Sequence, residues 1–97
     1  MEFKFKTKKL KDLYEKEKDL HKFPPIVDQF FDVMAIIDAA VNEHDLYALK
    51  GLRYEKLKGN RKYQHSLRLN IKYRLIVEPK QDEQGDYLLI VNIEDYH

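Results

Sequence analysis

The chain predicts an α+β domain in the order β-α-α-β-β-β-β, with two helices packed on one face of a curved, mostly antiparallel sheet. Three observations carry that expectation. The first six residues alternate apolar and polar, the middle of the first half repeats apolar residues at helical spacing, and the sequence from residue 54 onward is alternating or β-rich. Ninety-seven residues make one domain, 1–97, with one modest core.

In chain order, Phe3 and Phe5 alternate with Glu2, Lys4 and Lys6, which marks a short opening strand. Thr7 is placed to cap a helix running to about Leu20, with Leu10, Leu13, Tyr14 and Leu20 on one face. Pro24-Pro25 then breaks the chain and opens a second helix, where proline is tolerated in the first turn. Its stripe of Ile26, Val27, Phe30, Val33, Met34, Ile37 and Val41 reads as core. Residues 42–52 read as a loop. Strands follow over Tyr54–Leu57, Gln64–Asn70, Tyr73–Glu78 and Tyr87–Glu94. Asn70-Ile71-Lys72 suits a tight hairpin, and the polar run 81–86 suits a turn with Gly85 at positive φ. On the last strand, alternation puts Tyr87, Leu89, Val91 and Ile93 on one face, continued by Asp95 and His97. The layout leaves the sheet face away from the helices open.

Charge is segregated along the chain although the net charge is only +1. Residues 1–22 carry 8 Lys against 5 acids, and residues 23–49 carry 5 acids and no Lys or Arg. Residues 50–74 hold 9 Lys or Arg and one acid, Glu55, whereas residues 75–97 hold one Lys and 6 acids. A basic block of that density, interleaved with Tyr54, Leu57, Tyr63 and Leu67 in strand-like sequence, predicts a local positive patch able to bind phosphates. With no cysteine, disulfides, a thiolate nucleophile and a Cys-ligated zinc site are excluded. The His residues at 21, 44, 65 and 97 are not spaced as a ligand set, so neither metal nor other cofactor is expected. No apolar run approaches the ~20 residues of a membrane span, and the N-terminus lacks the apolar stretch of a signal peptide. A cytoplasmic protein without a membrane partner is the expectation.

The basic block and the terminal Asp95-Tyr96-His97 together match the needs of RNA cleavage by its own 2′-hydroxyl. That reaction requires a base for the hydroxyl proton, cations on the phosphate as charge builds, and an acid for the departing 5′-oxygen. Lys and Arg supply the charge, and Arg binds two phosphate oxygens at once. His97 can exchange protons near neutral pH. Tyr96 and Tyr54 offer rings on which an unpaired base can stack. Arg68 shares a face with Ser66 and Asn70, and Arg74 opposes Tyr73 and Leu75. Two arginines on neighbouring central strands are costly to bury unpaired, so they are expected to meet an acid such as Glu94 or an anion in a cleft.

Several segments resemble a HigB-type toxin of the RelE/ParE superfamily. They are Phe5-Lys6-Thr7-Lys8-Lys9-Leu10-Lys11, Leu57-Lys58-Gly59-Asn60-Arg61-Lys62, His65-Ser66-Leu67-Arg68-Leu69-Asn70, Tyr73-Arg74-Leu75-Ile76 and Glu94-Asp95-Tyr96-His97. The match spans nearly the whole chain in order and is loosest in the helices. It implies a RelE-like fold and a ribosome-dependent mRNA interferase that cuts codons in the A site. It also implies neutralisation by a helix-turn-helix antitoxin of the HigA type. By the same resemblance, Asp95, Tyr96 and His97 form the active-site end, and Lys58, Arg68 and Arg74 hold the scissile phosphate or neighbouring backbone. Lys56, Arg61, Lys62 and Tyr54 are the further RNA-binding candidates in the basic block. One departure is that Glu55 stands where HigB-type proteins often carry an active-site histidine. A related YoeB-like branch has Glu there, resembling a general base, which makes Glu55 the candidate base and His97 the acid. A simple surface ion pair of Glu55 with a nearby Lys or Arg is the competing role. The nearly neutral net charge is a second departure and implies weaker long-range attraction to the ribosome.

The same superfamily also contains ParE-like toxins, which share the fold and block DNA gyrase without RNA chemistry. The Asp-Tyr-His end and the Lys58, Arg68 and Arg74 set favour the nuclease. A degenerate toxin that only binds its antitoxin is the third alternative.

Overall fold

The computed structural model describes residues 1–95. Its elements are β1 (Phe3–Phe5), α1 (Lys8–Lys16), α2 (Val27–Ala39), α3 (Glu43–Ala48), β2 (Glu55–Lys56), β3 (His65–Arg68), β4 (Tyr73–Asp82) and β5 (Gly85–Asp95), with single 3-10 turns between several of them. The strands form one sheet in the order β1-β5-β4-β3-β2. β1 runs parallel to β5, and every other neighbouring pair is antiparallel. This is the expected α+β layout with one extra short helix.

The N-terminal elements follow from local chemistry. Thr7 Oγ1 accepts the Leu10 amide at 3.3 Å and starts α1. The helix stops at Lys16, short of Leu20, because Glu17 turns into the left-handed region at φ 50° and its amide bonds back to the Leu13 carbonyl. Leu10 and Leu13 face the sheet, and Asp12 sits between Lys8 and Lys16 at 3.5 and 3.9 Å. Pro24 and Pro25 precede α2 without joining it. The Ile26 amide bonds the Pro24 carbonyl at 2.7 Å, and the helix proper begins at Val27. Phe30, Val33, Met34 and Ile37 are buried as the stripe requires, while Val41 lies beyond the helix and is exposed.

The expected loop 42–52 contains α3. Asn42 Oδ1 accepts the His44 amide at 3.0 Å, and Asp45 Oδ2 accepts the Val41 amide at 2.8 Å. The first bond occupies a donor that a helix N-terminus leaves free, the second ties the preceding residue to the first turn, and Leu46 anchors the helix in the core. β2 is only two residues long because Arg53 is left-handed at φ 47° before it and Gly59 turns at φ 69° after it. The β3–β4 turn is built on Asn70, whose Oδ1 accepts the amides of Lys72 and Tyr73 at 2.8 and 2.7 Å. β4 and β5 run on past the expected ends and meet at a tight turn over Glu83 and Gln84, with Gly85 at φ 118°.

β5 corrects the expected facing of its side chains. Ile76 lies opposite Asn92 and Val77 opposite Ile90, so Val91 is an extra, bulged residue. The bulge shifts the alternation by one. Leu88 and Ile90 face the helices before it and Ile93 after it, whereas Tyr87, Leu89 and Val91 do not continue the Ile93 face. With Leu67, Leu75, Val77, Phe30, Met34 and Ile37 they make the apolar core on the helix side. The other side of the sheet carries Ser66, Arg68, Arg74, Glu78 and Glu94.

Candidate active site

Strand register builds the open face of the sheet. Arg68 pairs with Arg74, Arg74 with Glu94, and Ser66 with both Glu55 and Ile76. Paired residues share a face, and so do residues two apart on one strand. Glu55, Ser66, Arg68, Arg74 and Glu94 therefore project together, opposite Leu67 and Leu75. Arg53, Arg68 and Arg74, with Asn70 and Ile71, line a cleft of about 280 Å³ there. Arg74 is only 5 % exposed, and its Nη2 donates to the Arg53 carbonyl at 2.6 Å. Arg68 and Arg74 are opposite each other in register, so two guanidinium groups line this cleft together.

The expected acid partner is placed differently. Glu94 is opposite Arg74 in register, yet its carboxylate takes a two-point bond from Arg61, at 3.0 and 2.9 Å. Arg61 Nε also donates to Gln64 Oε1 at 2.9 Å, and Gln64 Nε2 donates to Glu78 Oε2 at 2.8 Å. Lys80 closes the chain on Glu78 at 3.2 Å. The Gln64 hydrogen bond, reinforced by Lys80, holds the Glu78 carboxyl below the usual carboxylate range. The network fastens the 57–64 loop, which carries Lys58, to the last strand. Leu57 and Gln64 complete that loop with an amide-to-carbonyl bond of 2.9 Å.

The sequence candidates are thus distributed as follows. Glu55, Arg68 and Arg74 share the open face. Glu55 is exposed on the edge strand, and among the described residues it makes no ion pair within 4.0 Å. Lys58 is exposed at the start of the 59–61 turn. Asp95 pairs with Tyr73 and projects to the helix side, apart from the arginines. Tyr96 and His97 lie outside the described residues. Lys56 and Lys62 are exposed on the helix side at the β2 edge, lining a separate cleft. Arg61 is engaged with Glu94 and Gln64. Tyr54 is 4 % exposed, so its ring is a core element. Its hydroxyl donates to Glu43 Oε2 at 2.9 Å, and burial pushes its pKa well above the usual phenol value.

Tyr54 belongs to a second polar cluster that sequence periodicity did not reveal. Its ring stacks on His65 at 4.8 Å and 19°. Tyr47 packs edge-on against Tyr54 at 4.8 Å, and its hydroxyl lies 3.1 Å from His65 Nε2. Burial lowers the His65 pKa against the opposing pull of Glu43 at 3.9 Å, which favours a neutral ring. The signal that locates this cluster is Asn42 followed by Glu43 and Asp45, a cap and acidic first turn of α3. Among the described residues no three His, Asp or Glu side chains converge as a metal-ligand set.

A five-stranded mixed sheet backed by helices, with a basic cleft on its free face, defines the class as a RelE-like toxin fold. The YoeB/ParE toxin of Agrobacterium tumefaciens superimposes with a TM-score of 0.57 at 16 % identity, covering 100 % of both chains. The YoeB-YefM complex of Staphylococcus aureus gives 0.56 at 23 % identity, covering 100 % of this chain and 97 % of the other. Within the class, a family model described as the RelE-like toxin of type II toxin-antitoxin system HigB matches residues 3–97. Toxin HigB-1 of Vibrio cholerae serotype O1 (strain ATCC 39315 / El Tor Inaba N16961) is 39 % identical over 79 residues, 80 % of this chain and 83 % of that protein. The chain belongs to the HigB-like toxin family of type II toxin-antitoxin systems. Among the described residues no helix is long and apolar enough to cross a membrane.

Proposed function

We propose that this toxin is an mRNA endoribonuclease that cuts codons in the ribosomal A site and so inhibits translation, with an antitoxin of the helix-turn-helix HigA type as its partner in the cytoplasm. The observation that carries the reading is the strand register that sets Glu55, Arg68 and Arg74 on one open face, two of them in a cleft with Arg53.

In this reading the scissile phosphate sits over the arginine cleft. Glu55 takes the 2′-hydroxyl proton, and the 2′-oxygen attacks phosphorus. Arg68, Arg74 and Lys58 hold the non-bridging oxygens, whose charge rises in the transition state. The bond from phosphorus to the 5′-oxygen breaks, and His97 gives that oxygen a proton. The products are a 2′,3′-cyclic phosphate and a 5′-hydroxyl end. Tyr96 stacks on or orients a base beside the break, and Asp95 positions the two residues that follow it. The Arg61–Glu94 pair holds the Lys58 loop against the strand that leads to His97.

Primer extension on a reporter mRNA in a translating extract tests this, with His97→Ala and naked mRNA as comparisons. Cuts inside codons are expected only during translation and only with the unsubstituted chain. Intact mRNA with ongoing translation would overturn the nuclease reading.

A further inference from the structure

The helix side of the β2 edge holds a second cleft, of about 530 Å³, whose lining includes Glu43, Tyr47, Lys56, Lys62, Tyr63 and His65. Glu55 and Lys56 are consecutive on this edge strand, so they point to opposite faces. The cleft therefore lies just around the edge from the arginine face. Among the described tyrosines only Tyr63 and Tyr47 are more than half exposed, at 60 % and 51 %, and both line it.

We propose that this cleft is a second RNA subsite that takes one unpaired nucleotide, its phosphate on Lys56 and Lys62 and its base against the rings of Tyr63 and Tyr47. The inference rests on the nuclease reading and extends its contact surface beyond the cut. Exposed aromatic rings beside cations are the recurring means of holding single-stranded RNA, because every base has a face to stack. The Tyr47 side of the platform is preset. Tyr47 is held by His65 at 3.1 Å and by the Tyr54 ring, and Tyr54 is in turn fixed on Glu43. Less ordering is then lost when a base lands. The one carboxylate, Glu43, disfavours a second phosphate beside it. That selects a single step of a strand over a free polyphosphate. Tyr54, the aromatic of the basic block expected to stack RNA, supports the cleft from beneath, and the exposed pair takes the contact.

The test measures binding of the full chain to a short fluorescent single-stranded RNA and, separately, to small ribosomal subunits without mRNA. Tyr63→Ala is expected to weaken binding about tenfold, the scale of one lost base stack, with Tyr63→Phe within about twofold of the original. The Lys56→Ala/Lys62→Ala double variant should lower the salt slope on the short RNA by about 0.7, one phosphate contact. A Tyr63→Ala loss on the short RNA supports the subsite with mRNA as occupant. A loss confined to the subunits supports it with ribosomal RNA. Unchanged binding in both arms overturns it. Codon cutting by the same preparations separates the two ideas, since unchanged binding by Tyr63→Ala together with cutting that vanishes in Arg68→Ala leaves the nuclease reading standing without the subsite.

Discussion

The two faces of this sheet are made by the same strands and differ only in which alternate residue they show. On the helix side, Leu67, Leu75, Val77, Leu88 and Ile90 are sealed against α1 and α2. On the open side, Ser66, Arg68, Arg74, Glu78 and Glu94 form a polar surface, tied to the flanking loops by hydrogen bonds from Arg74 to the Arg53 carbonyl, from Gln64 to Glu78 and from Arg61 to Glu94. A shift of one residue exchanges the two sets. The bulge at Val91 is therefore more than a local irregularity, because it decides that Ile93 joins the core and Glu94 joins the arginines. Stability resides on one face and the proposed chemistry on the other, although neighbouring residues carry them.

The comparison predicts separable defects. The largest is on the core side. Leu75→Ala should cost about 2–5 kcal/mol, read as a lower urea midpoint, because a fully buried leucine leaves a cavity when truncated. A loss well below that range would mean that the face is less closely packed than described. On the open side, the Arg61–Glu94 pair is about one-third to two-fifths exposed, so solvent screening limits it to roughly 1 kcal/mol even with two-point geometry. A double-mutant cycle with Arg61→Ala and Glu94→Ala reads that coupling directly. Zero coupling would remove the pair as the fastener of the Lys58 loop.

The smallest effect is in pH dependence. Burial lowers the folded pKa of His65 below the usual value of about 6.5, so the unfolded chain takes up that proton first as pH falls. The associated stability is fully present above about pH 6.5 and drains below it. The groups facing the ring are Glu43, Lys56, Tyr47 and Tyr54. Glu78 on the open face also has a lowered pKa, and its contribution is lost only in the more acidic carboxylate range. Melting temperatures between about pH 7.5 and 5.5 should therefore fall less in His65→Phe than in the original chain. Equal slopes would show that the His65 proton is not coupled to folding in that window.

Sequence pattern made the strands and the two main helices legible, because periods of two and 3.6 report which side of an element is buried, whereas Glu55 became a candidate only through the family resemblance. The Thr7 cap and the α2 stripe are of this kind. Three features escaped for physical reasons. α3 has only six residues, too few for a helical period to show. The Val91 bulge is set by pairing with β4, which leaves the alternating Tyr87, Leu89, Val91 and Ile93 looking regular. The roles of Tyr54 and Arg61 depend on Glu43 and Glu94, 11 and 33 residues away in the chain, and a local reading of the basic block gives both to RNA.

The central claim is that the open face cuts RNA. The most direct measurement maps mRNA 5′ ends in a translating extract for Arg68→Ala and Lys4→Ala, each shown by melting to be folded. Arg68 lies in the arginine cleft, whereas Lys4 lies on β1 at the opposite edge of the sheet, three strands away, and pairs with Asp82 at 2.9 Å. The account predicts a loss of codon-internal cuts of about a hundredfold or more in Arg68→Ala, as for removal of one group that stabilises transition-state charge, and cutting at the original level in Lys4→Ala. Undiminished cutting by Arg68→Ala would contradict it.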